Sequence, residues 1–116
     1  MDYNRNIEIL YKEPNKNPVK RKIPNTLEEM QKIVGGYIEV VGYKDALLIC
    51  NEEGKLMGLE PNISLGNDII CGSFFIAGDD CENADFISLT ESQFEKFMKE
   101  FSNELQCECE LEEEFE

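Results

Sequence analysis

Histidine and tryptophan are both absent from this chain of 116 residues. Without histidine, the commonest Ser–His and Cys–His nucleophile pairs have no base, and a zinc site has no imidazole ligand. Tryptophan is the lesser loss, because seven Phe and four Tyr can fill one core. Basic residues are scarce: 11 Lys and Arg face 25 Asp and Glu, leaving a formal charge of −14. Such a field repels phosphate, so direct DNA or RNA binding is not expected, whereas basic protein surfaces are attracted. No apolar run approaches the roughly 20 residues of a membrane-spanning helix, and the start M-D-Y-N-R-N-I-E has no apolar stretch of export length. The five cysteines, at positions 50, 71, 81, 107 and 109, are odd in number. Together these features predict a soluble, cytoplasmic protein with reduced thiols.

The charge is unevenly placed. Through Gly78 there are 11 acids against 9 basic residues, a net of −2, and from Asp79 onward 14 against 2, a net of −12. The length suits one α+β domain over residues 1–105, followed by an acidic, mobile tail over 106–116.

Ile7–Tyr11 and Val19–Ile23 are rich in strand formers and flank the turn Pro14–Pro18, which predicts a hairpin whose basic residues (Lys12, Lys16, Lys20, Arg21, Lys22) guard an edge. Asn25 with Glu28 suits a capping box, and Leu27, Met30, Ile33 and Val34 share one helical face. Gly35 can then end the helix and Gly36 turn the chain. Tyr37–Val41 and Ala46–Cys50 predict strands, with Asn51–Gly54 as a hairpin turn into a returning strand Lys55–Gly58. A loop is expected from Pro61 to Asn67 and a last strand from Ile69 to Ala77. Thr90 and Gln93 form a second capping box, ahead of the stripe Phe94, Phe97, Met98, Phe101, Leu105. The predicted architecture is an antiparallel or mixed sheet of five to six strands with two helices packed on one face.

Few motifs carry chemistry. Cys107-Glu108-Cys109 is half of a thiolate metal site with no histidine to complete it, and Cys50 and Cys71 sit in apolar strands as small hydrophobes. Glu39, Glu52, Glu53, Asp79 and Asp80 are the carboxylates available for acid–base work, but each falls at a turn or strand end, where a solvated carboxylate is ordinary. Gly54-Lys55 lacks the preceding glycine and following helix of a phosphate loop. Asp79-Asp80-Cys81-Glu82 lacks calcium-loop spacing. These readings predict no catalytic residue, no metal and no cofactor.

Four blocks carry a resemblance: I-P-N-T-L-E-E-M-Q-K-I-V-G-G-Y-I-E (Ile23 to Glu39), L-I-C-N-E-E-G-K-L-M-G-L-E-P-N (Leu48 to Asn62), D-I-I-C-G-S-F-F-I-A-G (Asp68 to Gly78) and F-I-S-L-T-E-S-Q-F-E-K-F (Phe86 to Phe97). In this order they resemble the domain of unknown function 3846 family, small proteins of phages and mobile elements. The resemblance implies an accessory role in a host cytoplasm and no particular activity. Small acidic phage proteins are often counter-defence factors.

The leading expectation is therefore a non-enzymatic accessory protein that inhibits a host defence component, of anti-CRISPR or anti-restriction type. Asp79, Asp80, Glu108, Glu110, Glu112, Glu113 and Glu114 would occupy a basic, nucleic-acid-binding surface of the partner. The alternative is a sponge for a nucleotide immune signal between subunits of a homodimer, with Gln31, Tyr37, Asn51 and Asn62 around the ligand. An anionic ligand would also need Lys20, Arg21, Lys22 or Lys55 beside it. A third alternative is a structural or host-adaptation protein.

Overall fold

A computed structural model describes the backbone of residues 5–114 and the side chains of residues 5–102. The elements in chain order are β1 (Asn6–Lys12), β2 (Val19–Pro24), α1 (Leu27–Val34), β3 (Ile38–Tyr43), β4 (Ala46–Asn51), β5 (Pro61–Leu65), β6 (Asp68–Cys71), β7 (Phe74–Asp80), β8 (Asp85–Ile87) and α2 (Glu91–Glu114). The main sheet has six strands, in the order β2-β1-β7-β4-β3 with β8 on the far end of β7, and β5 and β6 form a separate hairpin. Every pairing is antiparallel. This is an α+β fold.

Strand alternation decides which side each residue serves. Phe75 and Ala77 of β7, Ile49 of β4, Ile7 and Ile9 of β1 and Ile23 of β2 pack against Met30 and Val34 of α1. The intervening residues, Leu10, Leu48, Cys50, Phe74 and Ile76, face the opposite way, against Phe94, Phe97 and Phe101 of α2 and Ile63 and Ile70 of the small hairpin. The sheet thus separates the two helices, where sequence pattern placed both on one face. The apolar runs of β4 and β7 require this, since a strand buried on both sides needs a cover on each.

Local signals explain the boundaries. Thr26, one residue past the expected Asn25, caps α1 by accepting from the Glu29 N–H at 3.2 Å. Gly35 ends it in the left-handed region (φ 80°), its N–H bonded to the Gln31 carbonyl at 2.8 Å. The reciprocal capping box of α2 is present: Gln93 N–H to Thr90 Oγ1 at 3.1 Å, and Thr90 N–H to Gln93 Oε1 at 3.0 Å. The helix backbone continues to Glu114, taking in the segment that composition set apart as a tail.

Three predicted elements differ. Lys55–Gly58 is not a strand: the Met57 N–H bonds the Glu53 carbonyl at 2.9 Å and the Gly58 N–H bonds that of Lys55 at 3.1 Å, so the segment coils into successive turns. Pro61–Leu65 is a strand, not a loop, paired with β6 across a bulge. The run Ile69–Ala77 is broken at Gly72 and Ser73 into β6 and β7, which belong to different sheets. Continuous hydrophobicity conceals such a break, because Ile69 and Ile70 read like the buried residues of β7 although only Ile70 of the two is buried.

Candidate functional site

Asn51 ends β4 as a buried amide with every polar atom engaged. Its Nδ2 donates to the Val34 carbonyl at the end of α1 (3.0 Å) and its Oδ1 accepts from the Glu53 N–H (2.7 Å). One side chain thus satisfies a helix-end carbonyl and fixes the start of the following turn. A Cβ on Gly36 would lie 2.9 Å from that Nδ2, so the second glycine of the pair makes room for the amide. At Gly54 a Cβ would fall 2.6 Å from the Cys71 carbonyl oxygen. The turn therefore lies directly on the end of β6.

Between them is a cleft of about 300 Å³, lined by Glu39 of β3, Cys50 and Asn51 of β4, Glu52 to Leu56 of the turn, and Asp68 to Cys71 of β6. Three of the four blocks singled out in the sequence meet here. The lining holds four carboxylates (Glu39, Glu52, Glu53, Asp68) and one lysine. Lys55 forms an ion pair with Asp68, and Asp68 also accepts from the Ile69 N–H at 2.8 Å. That pairing holds the Asp68 carboxyl below its usual range and pushes the Lys55 ammonium above its own. Both stay charged at neutral pH. Cys50 differs: burial, assisted by the negative charges of Glu39 and Asp68, pushes its thiol up to about 11. It is a neutral thiol, not a nucleophile.

Exposed apolar groups adjoin this acidic lining. Leu56 is 88% exposed and Tyr37, whose carbonyl accepts from the Glu52 N–H, is 70% exposed. Met57 and Ile69 are also exposed, whereas the exposed Val40 alternates with Glu39 and lies on the opposite face of β3. The site combines an acidic cleft with uncovered hydrophobic side chains, a pairing common in binding surfaces.

The residues put forward for a nucleotide site do not converge. Asn51 lines the cleft, but its amide is committed to Val34 and Glu53. Asn62 is committed too: its Nδ2 donates to the Lys12 and Gly72 carbonyls (3.1 and 2.8 Å), and its Oδ1 accepts from Lys12 Nζ at 2.9 Å. Gln31 lies on α1, away from the cleft lining. The basic residues an anion would need are on β2, at the other edge of the sheet, about 19 Å away at four strand spacings. Lys55 alone reaches the cleft, and Asp68 holds it.

Asp79 and Asp80 lie at the end of β7 that pairs with β8. Because Leu47 pairs with Ala77, that end lies beside the start of β4, whereas the cleft lies at its finish, about 17 Å along the strand. The side chains of Glu108, Glu110, Glu112, Glu113 and Glu114, like those of Cys107 and Cys109, lie outside the described residues. Glu39, Glu52, Glu53 and Asp68 are the acids brought together. Three of them were noted in the sequence as candidate carboxylates, but only the β4 turn and the β5–β6 hairpin make them neighbours.

Among the described residues, no three His, Cys, Asp or Glu side chains are grouped to hold a metal, and no helix is long and apolar enough to cross a membrane. No curated protein and no solved structure matches the chain significantly. The model of one family, described as Domain of unknown function (DUF3846), matches residues 7–102, and the chain belongs to that family.

Proposed function

We propose that this protein is a non-enzymatic binding module that engages a basic surface of a partner protein through the cleft between β3, the 52–58 turn and β6. The observation that carries this reading is the charge of the lining, four carboxylates to one lysine that is already paired, beside the exposed Tyr37 and Leu56. A partner's lysine or arginine would gain charge-assisted hydrogen bonds there while its neighbours cover the apolar rim. The cleft's thiol and amine are not poised as nucleophiles: Cys50 is protonated and Lys55 is held as an ammonium by Asp68. An inhibitor of a host defence protein, filling a site that otherwise takes nucleic acid, is the biological role this chemistry suits best. Electrostatic competition would then act through the cleft's carboxylates.

Chemical-shift mapping with a short arginine-containing peptide tests it. Binding should perturb Glu39, Gly54 and Ile69, weaken steeply between 20 and about 200 mM salt, and disappear in the triple variant E39Q/E52Q/E53Q. It should survive removal of residues 106–116. Shifts confined to the C-terminal acids, or retained in the triple variant, would refute the assignment to the cleft.

A further inference from the structure

β3 is an edge strand: β4 pairs with one side of it and, among the described residues, no strand pairs with the other. The register fixes which backbone groups are free. The Glu52 N–H bonds the Tyr37 carbonyl, and Ile38 stands opposite Asn51. In an antiparallel ladder the bonded positions alternate, so Glu39, Val41 and Tyr43 exchange bonds with β4, and the N–H and C=O groups of Ile38, Val40 and Gly42 point outward. The two edges of the sheet are unequally defended. β2 carries three consecutive basic residues, Lys20, Arg21 and Lys22, and is bounded by Pro18 and Pro24, whereas β3 (I-E-V-V-G-Y) has one charge and no proline. Unguarded edges of this kind are rare unless something pairs with them.

We propose that β3 is a strand-addition site, and that its occupant is an extended, basic segment of a partner protein. This deepens the cleft reading and rests on it. Glu39 belongs to both features, since it lies on β3 and lines the cleft. Alternate side chains of an added strand would fall on the Glu39 side of the sheet, where the cleft's carboxylates select lysine or arginine, while the main-chain bonds supply affinity independent of sequence. A second copy of this chain fits less well. A β3–β3 pair centred on Val40 would bring two acidic clefts together, and two chains of −14 repel one another.

The test compares two synthetic peptides of equal charge, an acetylated alternating Val-Arg heptamer and its counterpart N-methylated at every backbone nitrogen, titrated into the full chain by calorimetry at low salt. The expected result is at least tenfold weaker binding of the methylated peptide, and a similar loss for the plain peptide with Val40→Pro, which removes one outward N–H and leaves the β4 ladder intact. If Val40→Pro fails to fold, the comparison on the unaltered protein decides alone. Equal binding of both peptides would overturn strand addition and leave the acidic-cleft reading standing. No binding of either peptide would overturn both. Sedimentation as a dimer that Val40→Pro converts to monomer would assign the edge to a second copy and overturn the proposal.

Discussion

Replacing Asn51 separates a structural amide from a ligand-binding one. In Asn51→Ala the Val34 carbonyl, at a buried residue on the end of α1, loses its donor at 3.0 Å, and the Glu53 N–H loses its acceptor at 2.7 Å. A buried carbonyl left without a partner costs about 1–3 kcal/mol. Glu53 is exposed, so its N–H recovers water and the net loss of that bond is about 1 kcal/mol. The expected total is about 2–4 kcal/mol, or a melting temperature lower by on the order of 10 °C for a domain of this size. Urea titration followed by circular dichroism measures it, with the midpoint falling and the slope unchanged.

Asn51→Asp refines the test. The introduced carboxylate can still accept from Glu53 but faces the Val34 carbonyl with a second oxygen, so burial and repulsion favour its protonated form. Its folded pKa is then raised above the ordinary value of about 3.9. A raised carboxyl is tolerated below the unfolded pKa and penalised as pH rises through the folded one. The deficit relative to wild type should therefore be small near pH 4 and full at pH 7. A loss of less than about 0.5 kcal/mol for Asn51→Ala, or a deficit for Asn51→Asp that does not vary with pH, would refute the bridging role and return this residue to the list of candidate ligand contacts.

Two further outcomes follow from the same geometry. Gly54→Ala sets a Cβ 2.6 Å from the Cys71 carbonyl oxygen and should cost about 1–3 kcal/mol while disturbing the cleft, a change visible in both the urea midpoint and the shifts of residues 68–71; an unaltered midpoint would mean that the turn does not lie on β6. Asp85 is held below the usual carboxylate range by the Phe86 N–H at 2.7 Å, then by Asn25 and Arg5, against an opposing effect of burial. A depressed carboxyl stabilises above its unfolded pKa and loses that contribution as pH falls through its folded one, so Asp85→Asn should be less stable than wild type at pH 6 and converge with it in strong acid. A gap between the two urea midpoints that stays constant to pH 2 would contradict this.

The features legible in the sequence are those set by neighbours along the chain. Thr90 and Gln93 announce the start of α2, Gly35 the end of α1, and Ile7–Tyr11 with Val19–Ile23 the first hairpin, because caps, positive φ and strand propensity act over three or four residues. The same reach explains the misreadings. Lys55–Gly58 looked like a returning strand because Asn and Gly suit a hairpin, yet Gly54 is spent on the close approach to Cys71 and the chain coils instead. A run as apolar as Ile69–Ala77 does not show that its halves belong to different sheets.

By itself the sequence determined the α+β class, the sign of the net charge, and the absence of the histidine chemistry that most hydrolytic sites use. Only the tertiary structure decided which acids act together. Asp79 and Asp80 are adjacent in sequence but lie at the far end of β4 and β7 from the cleft, whereas Glu39 and Asp68, 29 positions apart, line the same one. It also decided that the helices sit on opposite faces and that β3, among the described residues, is paired on one side only. These are consequences of strand order and register, which arise from long-range pairing and leave no local mark in the chain.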